Sequence, residues 1–285
     1  HETGTATATV TVYVSCSSCA YPPPDTSIPT VHIRGSIMLD STVKNDLNLL
    51  HAEAAGWAEA EAHERLALAR ALLADLNKDE WASAEDWAMQ EAKVLGIDLS
   101  DPVAHSTASI QKYILASSVR DFLHSVINAE EMKMKGSKYQ KPLILCTPPR
   151  TAQDGETQIQ IYGPQDLGKL NPGMSFEVHC KASSSGTPEN STDTAAEKNG
   201  AGTVTLVLGA GNQPFLSMVD VLHAVFIRRQ AVLLKHHPLR GHLQAPYAAL
   251  ARALVQRGVF RQVADRGVAA ASALVAHPLV GHVHL

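Results

Sequence analysis

The stretch Val207-Leu208-Gly209-Ala210-Gly211-Asn212-Gln213-Pro214-Phe215 lies between two apolar runs and carries two glycines at the spacing that opens a dinucleotide-binding fingerprint. A backbone without Cβ atoms lets a pyrophosphate approach closely, so glycines at a strand-to-helix turn suit phosphate chemistry. The third glycine of that fingerprint is replaced here by Pro214, and the acidic residue expected at the end of the following strand is replaced by Lys235. Proline fits the first turn of a helix but does not give the close helix–strand packing for which the third glycine is used. The standard fingerprint fails at both positions.

Two other sets of residues have the types needed for chemistry. Cys16 and Cys19 have CxxC spacing, but no second pair accompanies them to build a zinc site and no βαβ pattern starts there, so they read as incidental. His236-His237 and His282-Val283-His284 offer imidazoles to a metal, the latter pair from one face of a strand. Neither cysteine nor acidic partners accompany them, so packing and loop roles are expected and no metal site is assigned.

These residues must be positioned by a chain of 285 residues, long enough for two domains or one large α/β unit with an appendage. It is 45% hydrophobic but only 5% aromatic, which implies aliphatic packing. A formal charge of −4 gives no basic footprint for nucleic acid. No apolar run approaches the roughly 20 residues that cross a bilayer, and no signal-peptide layout opens the chain. Four cysteines, irregularly spaced, are too few for a disulfide framework and suit a reducing compartment. A soluble, intracellular protein is the expectation. The chain begins on His1 rather than Met and ends on the apolar run 280–285, so it is expected to be part of something longer; residues 1–4 are set aside from fold reasoning.

Residues 5–14 alternate small polar and apolar residues as a half-exposed strand does, and Pro22 to Pro24 end it; residues 1–41 are taken as a strand and proline-rich arm. Residues 42–140 form a helical region. Leu66, Ala69, Leu73 and Leu76 recur at helical spacing before a break near Asn77-Lys78-Asp79, and a further helix over 106–129 places Ile110, Ile114, Phe122 and Val126 on its apolar side. Residues 141–181 contain short β-type runs bounded by proline and glycine, which suit an interdomain or oligomerisation arm. Residues 182–202 are a polar, low-complexity linker; Asn190-Ser191-Thr192 within it fits a glycosylation sequon that means little without a secretory signal.

From 203 to 285 the pattern sharpens into strand (203–208), helix (215–229), strand (231–234), helix (243–257), strand (259–263), helix (268–276), strand (280–285). Alternation of this kind predicts a parallel sheet, with ligands beyond the carboxyl ends of the strands, where the loops after Gly209, Lys235 and Asp265 lie. The fold class expected is therefore α/β: a Rossmann-like parallel sheet in the C-terminal part, preceded by a helical and β-segment portion.

Three motifs in order, over roughly the last third of the chain, resemble the nucleotide-binding domain of the aldehyde dehydrogenase superfamily. "GAGNQP" matches that family's Pro-Trp-Asn-Phe-Pro at the asparagine and the second proline; "AVLLKHHP" resembles Val-Leu-Lys-Pro-Ser-Glu; and "RGVFRQVADRGVAAASALVAHPLVGHVHL" follows the family layout up to the strand that normally runs into Thr-Gly-Ser. The resemblance implies NAD or NADP as coenzyme, bound by a variant sheet without the usual glycine-rich diphosphate grip. It further implies that Asn212 is the catalytic oxyanion donor and that Gly209, Gly211, Lys235 and Gly267 line the coenzyme.

Lys235 falls on the family's ribose-binding lysine, but Pro238 occupies the place of its ribose-binding glutamate, so a 2′-phosphate is at least as acceptable as a 2′-hydroxyl. The family's chemistry needs a cysteine thiolate and a glutamate base downstream, and no cysteine follows Cys180. Cys146 and Cys180 precede the nucleotide-binding part and do not replace the thiolate.

The expectation is thus the coenzyme-binding portion of an aldehyde dehydrogenase-like oxidoreductase, inactive alone. An aldehyde would be its small-molecule substrate, oxidised with NAD(P), or formed by acyl reduction in the reverse sense. The intact protein would be a homo-oligomer or part of a larger assembly. The alternative is a non-catalytic structural or assembly subunit that reuses the fold.

Overall fold

A computed structural model describes residues 10–11, 39–135, 150–151, 157–162, 176–180, 202–265 and 267–285. Cys16, Cys19, Pro22 to Pro24, Cys146, Asn190 and the linker up to residue 201 lie outside them, as does nearly all of the expected strand at 5–14. The chain divides into two compact units, one of residues 1–31 and 140–192, the other of residues 32–139 and 193–285.

In the first unit, strands β1 (Val10–Thr11), β2 (Arg150–Thr151), β3 (Thr157–Tyr162) and β4 (Phe176–Cys180) form an antiparallel sheet in the order β1-β4-β3-β2. The β-type run "TQIQIY" is β3, and Cys180 ends β4.

The second unit is built on a parallel sheet of β5 (Val204–Leu208), β6 (Ala231–Lys235), β7 (Phe260–Val263) and β8 (Val280–His284), ordered β7-β6-β5-β8. The chain leaves β5 outward through β6 to β7, then returns to β8 on the other side of β5, which creates a topological switch point. Residues 204–207 of β5 and all five of β6 are buried, which explains why they are apolar apart from Thr205 and Lys235. Period-two alternation then divides them between two cores. Val204, Leu206, Ala231 and Leu233 pack on one side with Val43, Leu47 and other residues, whereas Val207, Val232, Leu234 and Phe260 pack on the other.

Helix α1 (Ser41–Ala58) covers the first side, buried at Val43, Leu47, Leu50, Ala54 and Trp57, and starts where the Asp40 carboxylate accepts a hydrogen bond from the Thr42 N–H at 2.7 Å. The second side carries α6 (Leu216–Phe226) and, beyond it, a helical layer of α2 (Ala62–Leu76), the short α3 (Glu80–Ser83), α4 (Trp87–Val94) and the 34-residue α5 (Pro102–Lys135). The expected break near Asn77-Lys78-Asp79 is present, with Asp79 at φ 57°. The buried pair Arg65–Glu130, two hydrogen bonds of 3.0 and 2.8 Å, ties α2 to α5.

The face of α5 differs from the expectation. Ile110 is 56% exposed and Ile114 and Phe122 are only partly buried, while Leu115, Val119, Leu123 and Val126 are buried. The inward stripe also uses Ala104, Ala108, Gln111 and Glu130, small or polar residues that do not register as an apolar periodicity.

After β6, a 3₁₀ turn over Pro238–Leu243 leads into α7 (Gln244–Leu250) and α8 (Arg252–Arg257), so the single helix expected over 243–257 is two. Helix α9 (Gly267–Val275) joins β7 to β8. No helix among the described residues is long and apolar enough to cross a membrane.

Candidate functional site

The carboxyl ends of β5, β6 and β7 bring Gly209, Lys235 and Asp265 to one edge of the sheet. The loop "GAGNQP" is locked by internal hydrogen bonds. The Gly209 N–H donates to the Lys235 carbonyl at 2.8 Å and the Ala210 N–H to Ser217 Oγ at 2.9 Å, so neither amide is left over for a phosphate. A Cβ at Gly211 would come within 2.7 Å of the His237 ring, so a side chain there would require that ring to shift. The Tyr247 hydroxyl donates to the Pro214 carbonyl, and burial pushes the Tyr247 phenol well above its usual pKa.

The loop is also tied to the 3₁₀ turn over Pro238–Leu243 and, through it, to α4. Arg240 Nε and Nη2 donate to the Gly211 carbonyl at 3.2 and 2.9 Å, and its Nη1 pairs with Glu91 of α4. His242 Nε2 contacts the other oxygen of Glu91 at 2.9 Å. Glu91 is fully buried and Arg240 is 2% exposed, so both charges are out of water and depend on each other. None of these three residues stood out in the sequence, because a Glu on a helix and an Arg in a turn ordinarily face solvent.

A cleft of about 520 Å³ opens at this edge, lined by Leu208, Lys235, Pro238, Asp265, Gly267 and Val268, with further α9 residues. Lys235 Nζ forms an ion pair with Asp265 Oδ1; the two side chains are 10% and 20% exposed, so the pair is less screened than one on an open surface. Asp265 Oδ2 accepts the Gly267 N–H at 3.2 Å. The hydrogen bond from Lys235 holds the Asp265 carboxyl below the usual carboxylate range, which keeps it charged near neutrality. Gly267, at φ 85°, starts α9 in a left-handed conformation that a side chain would strain. The cleft therefore combines apolar residues, among them Pro238 and Val268, with an ammonium and a carboxylate.

Of the residues singled out in the sequence, Lys235 and Gly267 meet in this cleft. Gly209 is bonded to the backbone of Lys235, and Gly211 and the exposed Asn212 lie on the loop that Arg240 holds. Asp265, noted in the sequence only as the start of a loop, is the added participant. A second cleft of about 580 Å³ lies on the α1 side of Lys235, lined by Leu39, Asp40, Ser41 and Val263 among others. Lys235 lines both clefts, and Gly267 lines the Pro238 cleft.

The histidines have partners of other kinds. His236 Nε2 is 2.8 Å from Gln262 Oε1 and its ring lies 5.6 Å from that of Tyr247. His237 Nδ1 accepts the Leu239 N–H at 3.2 Å, His282 is 2.5 Å from Arg228, and His284 is 3.2 Å from Asp220. Among the described residues no three His, Cys, Asp or Glu gather as a metal site.

Burial holds His236 and His223 below the usual pKa of 6.5. Below pH 6.5 the unfolded chain takes up protons that these buried rings do not, so stability is to fall as pH drops. The slope is at most about 1.4 kcal/mol per pH unit for each ring. Urea midpoints at pH 7.5 and 5.5 check this, with a smaller difference expected in His236→Gln.

Compared with known proteins, the chain matches no protein-family model. No curated protein matches it either. Its structure is similar to solved structures of aldehyde dehydrogenases and related enzymes. An aldehyde dehydrogenase from Bartonella henselae superposes with a TM-score of 0.47 at 17% identity, over 85% of this chain and 38% of that one. The gamma-glutamyl phosphate reductase of Saccharomyces cerevisiae gives 0.45 at 12% identity, over 85% and 50%. An NADP-dependent glyceraldehyde-3-phosphate dehydrogenase from Bacillus halodurans, complexed with NADP, gives 0.44 at 13%, over 85% and 39%. The chain thus spans half or less of the length of these proteins.

Proposed function

We propose that this chain is the coenzyme-binding portion of an aldehyde dehydrogenase-like oxidoreductase, holding the adenosine end of NAD or NADP in the cleft between Pro238 and α9. One observation carries the proposal: the cleft at the carboxyl edge of the parallel sheet holds Lys235 and Gly267 together, the two residues on which the second and third motifs converge. The donor set fits an adenosine. Pro238 and Val268 offer apolar surface to a flat base, while Lys235 and Asp265 offer a cation and an acceptor to ribose hydroxyls. Binding through such a cleft does not need the glycine-loop amides, two of which are already bonded internally.

When bound, the coenzyme supplies the acceptor or donor of a hydride. Asn212, on the loop braced by Arg240, is assigned to hydrogen-bond an oxyanion developing at the substrate carbonyl. All four cysteines precede the parallel sheet, so the thiolate step is assigned to residues outside this chain.

Calorimetric titration with NAD and with NADP tests the proposal. Micromolar binding of at least one is expected, weakened about ten- to hundred-fold in Lys235→Ala, the cost of a charge-assisted hydrogen bond. A folded chain that binds neither nucleotide would leave the non-catalytic assembly reading in its place.

A further inference from the structure

We propose that Asp265 sets the nucleotide preference of the cleft, accepting the ribose hydroxyls and so selecting NAD over NADP; this rests on the coenzyme reading above. In the sequence, the corner has a lysine and no acid, since Pro238 stands where a carboxylate is expected, and a 2′-phosphate is then welcome. The folded chain changes that balance, because a carboxylate reaches the corner from the neighbouring strand. Lys235 ends β6, Asp265 follows β7, and the two strands pair with Lys235 opposite Val263.

Three features make Asp265 an acceptor suited to this task. It lines the cleft beside Lys235. Its two oxygens are fixed, one on the Lys235 ammonium and one on the Gly267 N–H at 3.2 Å, which orients the group. An ionised carboxylate has roughly four lone-pair directions, so both oxygens retain capacity for ribose O–H donors. Lys235, in turn, has its charge neutralised. A 2′-phosphate that takes the remaining N–H of Lys235 brings a dianion against the Asp265 carboxylate, whereas a 2′-hydroxyl donates to that carboxylate with the pair intact. The usual carboxylate-on-ribose device is thereby moved from the end of the second strand of the sheet to the end of the third.

The test is the ratio of NAD to NADP affinity, measured by calorimetry on the full chain, for the wild type, Asp265→Asn and Asp265→Ser, each checked for a cooperative thermal transition. NAD is expected to bind the wild type at least about ten-fold more tightly. In both variants NAD weakens while NADP strengthens, because Lys235 is released to the phosphate, and the ratio moves ten-fold or more toward NADP. If Asp265 only holds Lys235 and Gly267 in place, both nucleotides weaken together and the ratio stays; that outcome overturns the proposal. A wild type that prefers NADP also overturns it, assigning the corner to Lys235, yet leaves the coenzyme reading standing. A folded chain that binds neither nucleotide sinks the coenzyme reading and this proposal with it.

Discussion

Replacing Glu91 with alanine is expected to destabilise the second unit by about 3–5 kcal/mol, the cost of stripping one partner from a buried ion pair. The cost arises because Arg240 is 2% exposed and would keep only the Gly211 carbonyl as a partner, while His242 would lose its contact as well. For a unit of this size the loss corresponds to roughly 6–20 °C in Tm. A double-mutant cycle separates the pair from simple truncation. In an Arg240→Ala background the Glu91→Ala change should cost far less, since no orphaned guanidinium remains. Near-additivity would contradict the reading that Glu91 serves Arg240. The same guanidinium also holds the loop that carries Asn212.

Trp57→Ala is the second change with a large expected effect, about 3–5 kcal/mol. Helix α1 covers one side of the sheet, yet its Trp57 is fully buried in the core of the other side. Its ring stands edge-on to Phe226 at 6.1 Å, and Nε1 donates to the Val225 carbonyl at 2.8 Å. Alanine removes the ring, opens a cavity and leaves that carbonyl without its donor. Trp57→Phe, which keeps apolar bulk but not the N–H, should cost only about 1–3 kcal/mol. Equal losses for the two variants in urea denaturation would show that the hydrogen bond rather than packing carries the effect. Trp57 thus clamps α1 to α6, the helix that follows the glycine loop, and its loss is expected to loosen the site indirectly.

How much of this was legible in the sequence depends on whether burial leaves a local pattern. Strand β6, "AVLLK", is apolar up to Lys235 because both its faces are covered, and the strand–helix alternation from Val204 onward could be read to within a few residues, apart from the helix over 243–257 that is two. Helix α5 was legible as a helix but only partly in phase. Of the stripe read, Val126 is buried and Ile114 and Phe122 partly so, but Ile110 is exposed, and the buried Gln111 and Glu130 carry no apolar signal. The candidate site divides in the same way. Lys235 and Gly267 stand in motifs, but the Arg240–Glu91 pair joins residues 149 apart, and a pairing of that kind leaves no mark in either neighbourhood. Asp265 was legible only as the start of a loop, because its place beside Lys235 depends on the register of β6 against β7.

Amide hydrogen exchange of the full chain with and without saturating NAD tests the central claim, coenzyme binding at the carboxyl edge of the sheet, most directly. Protection is expected at residues 264–272 and 236–239, around the Pro238 cleft, with α2 and α5 unchanged. Nucleotide-dependent protection confined to another region, or none at a concentration that saturates binding, would contradict it.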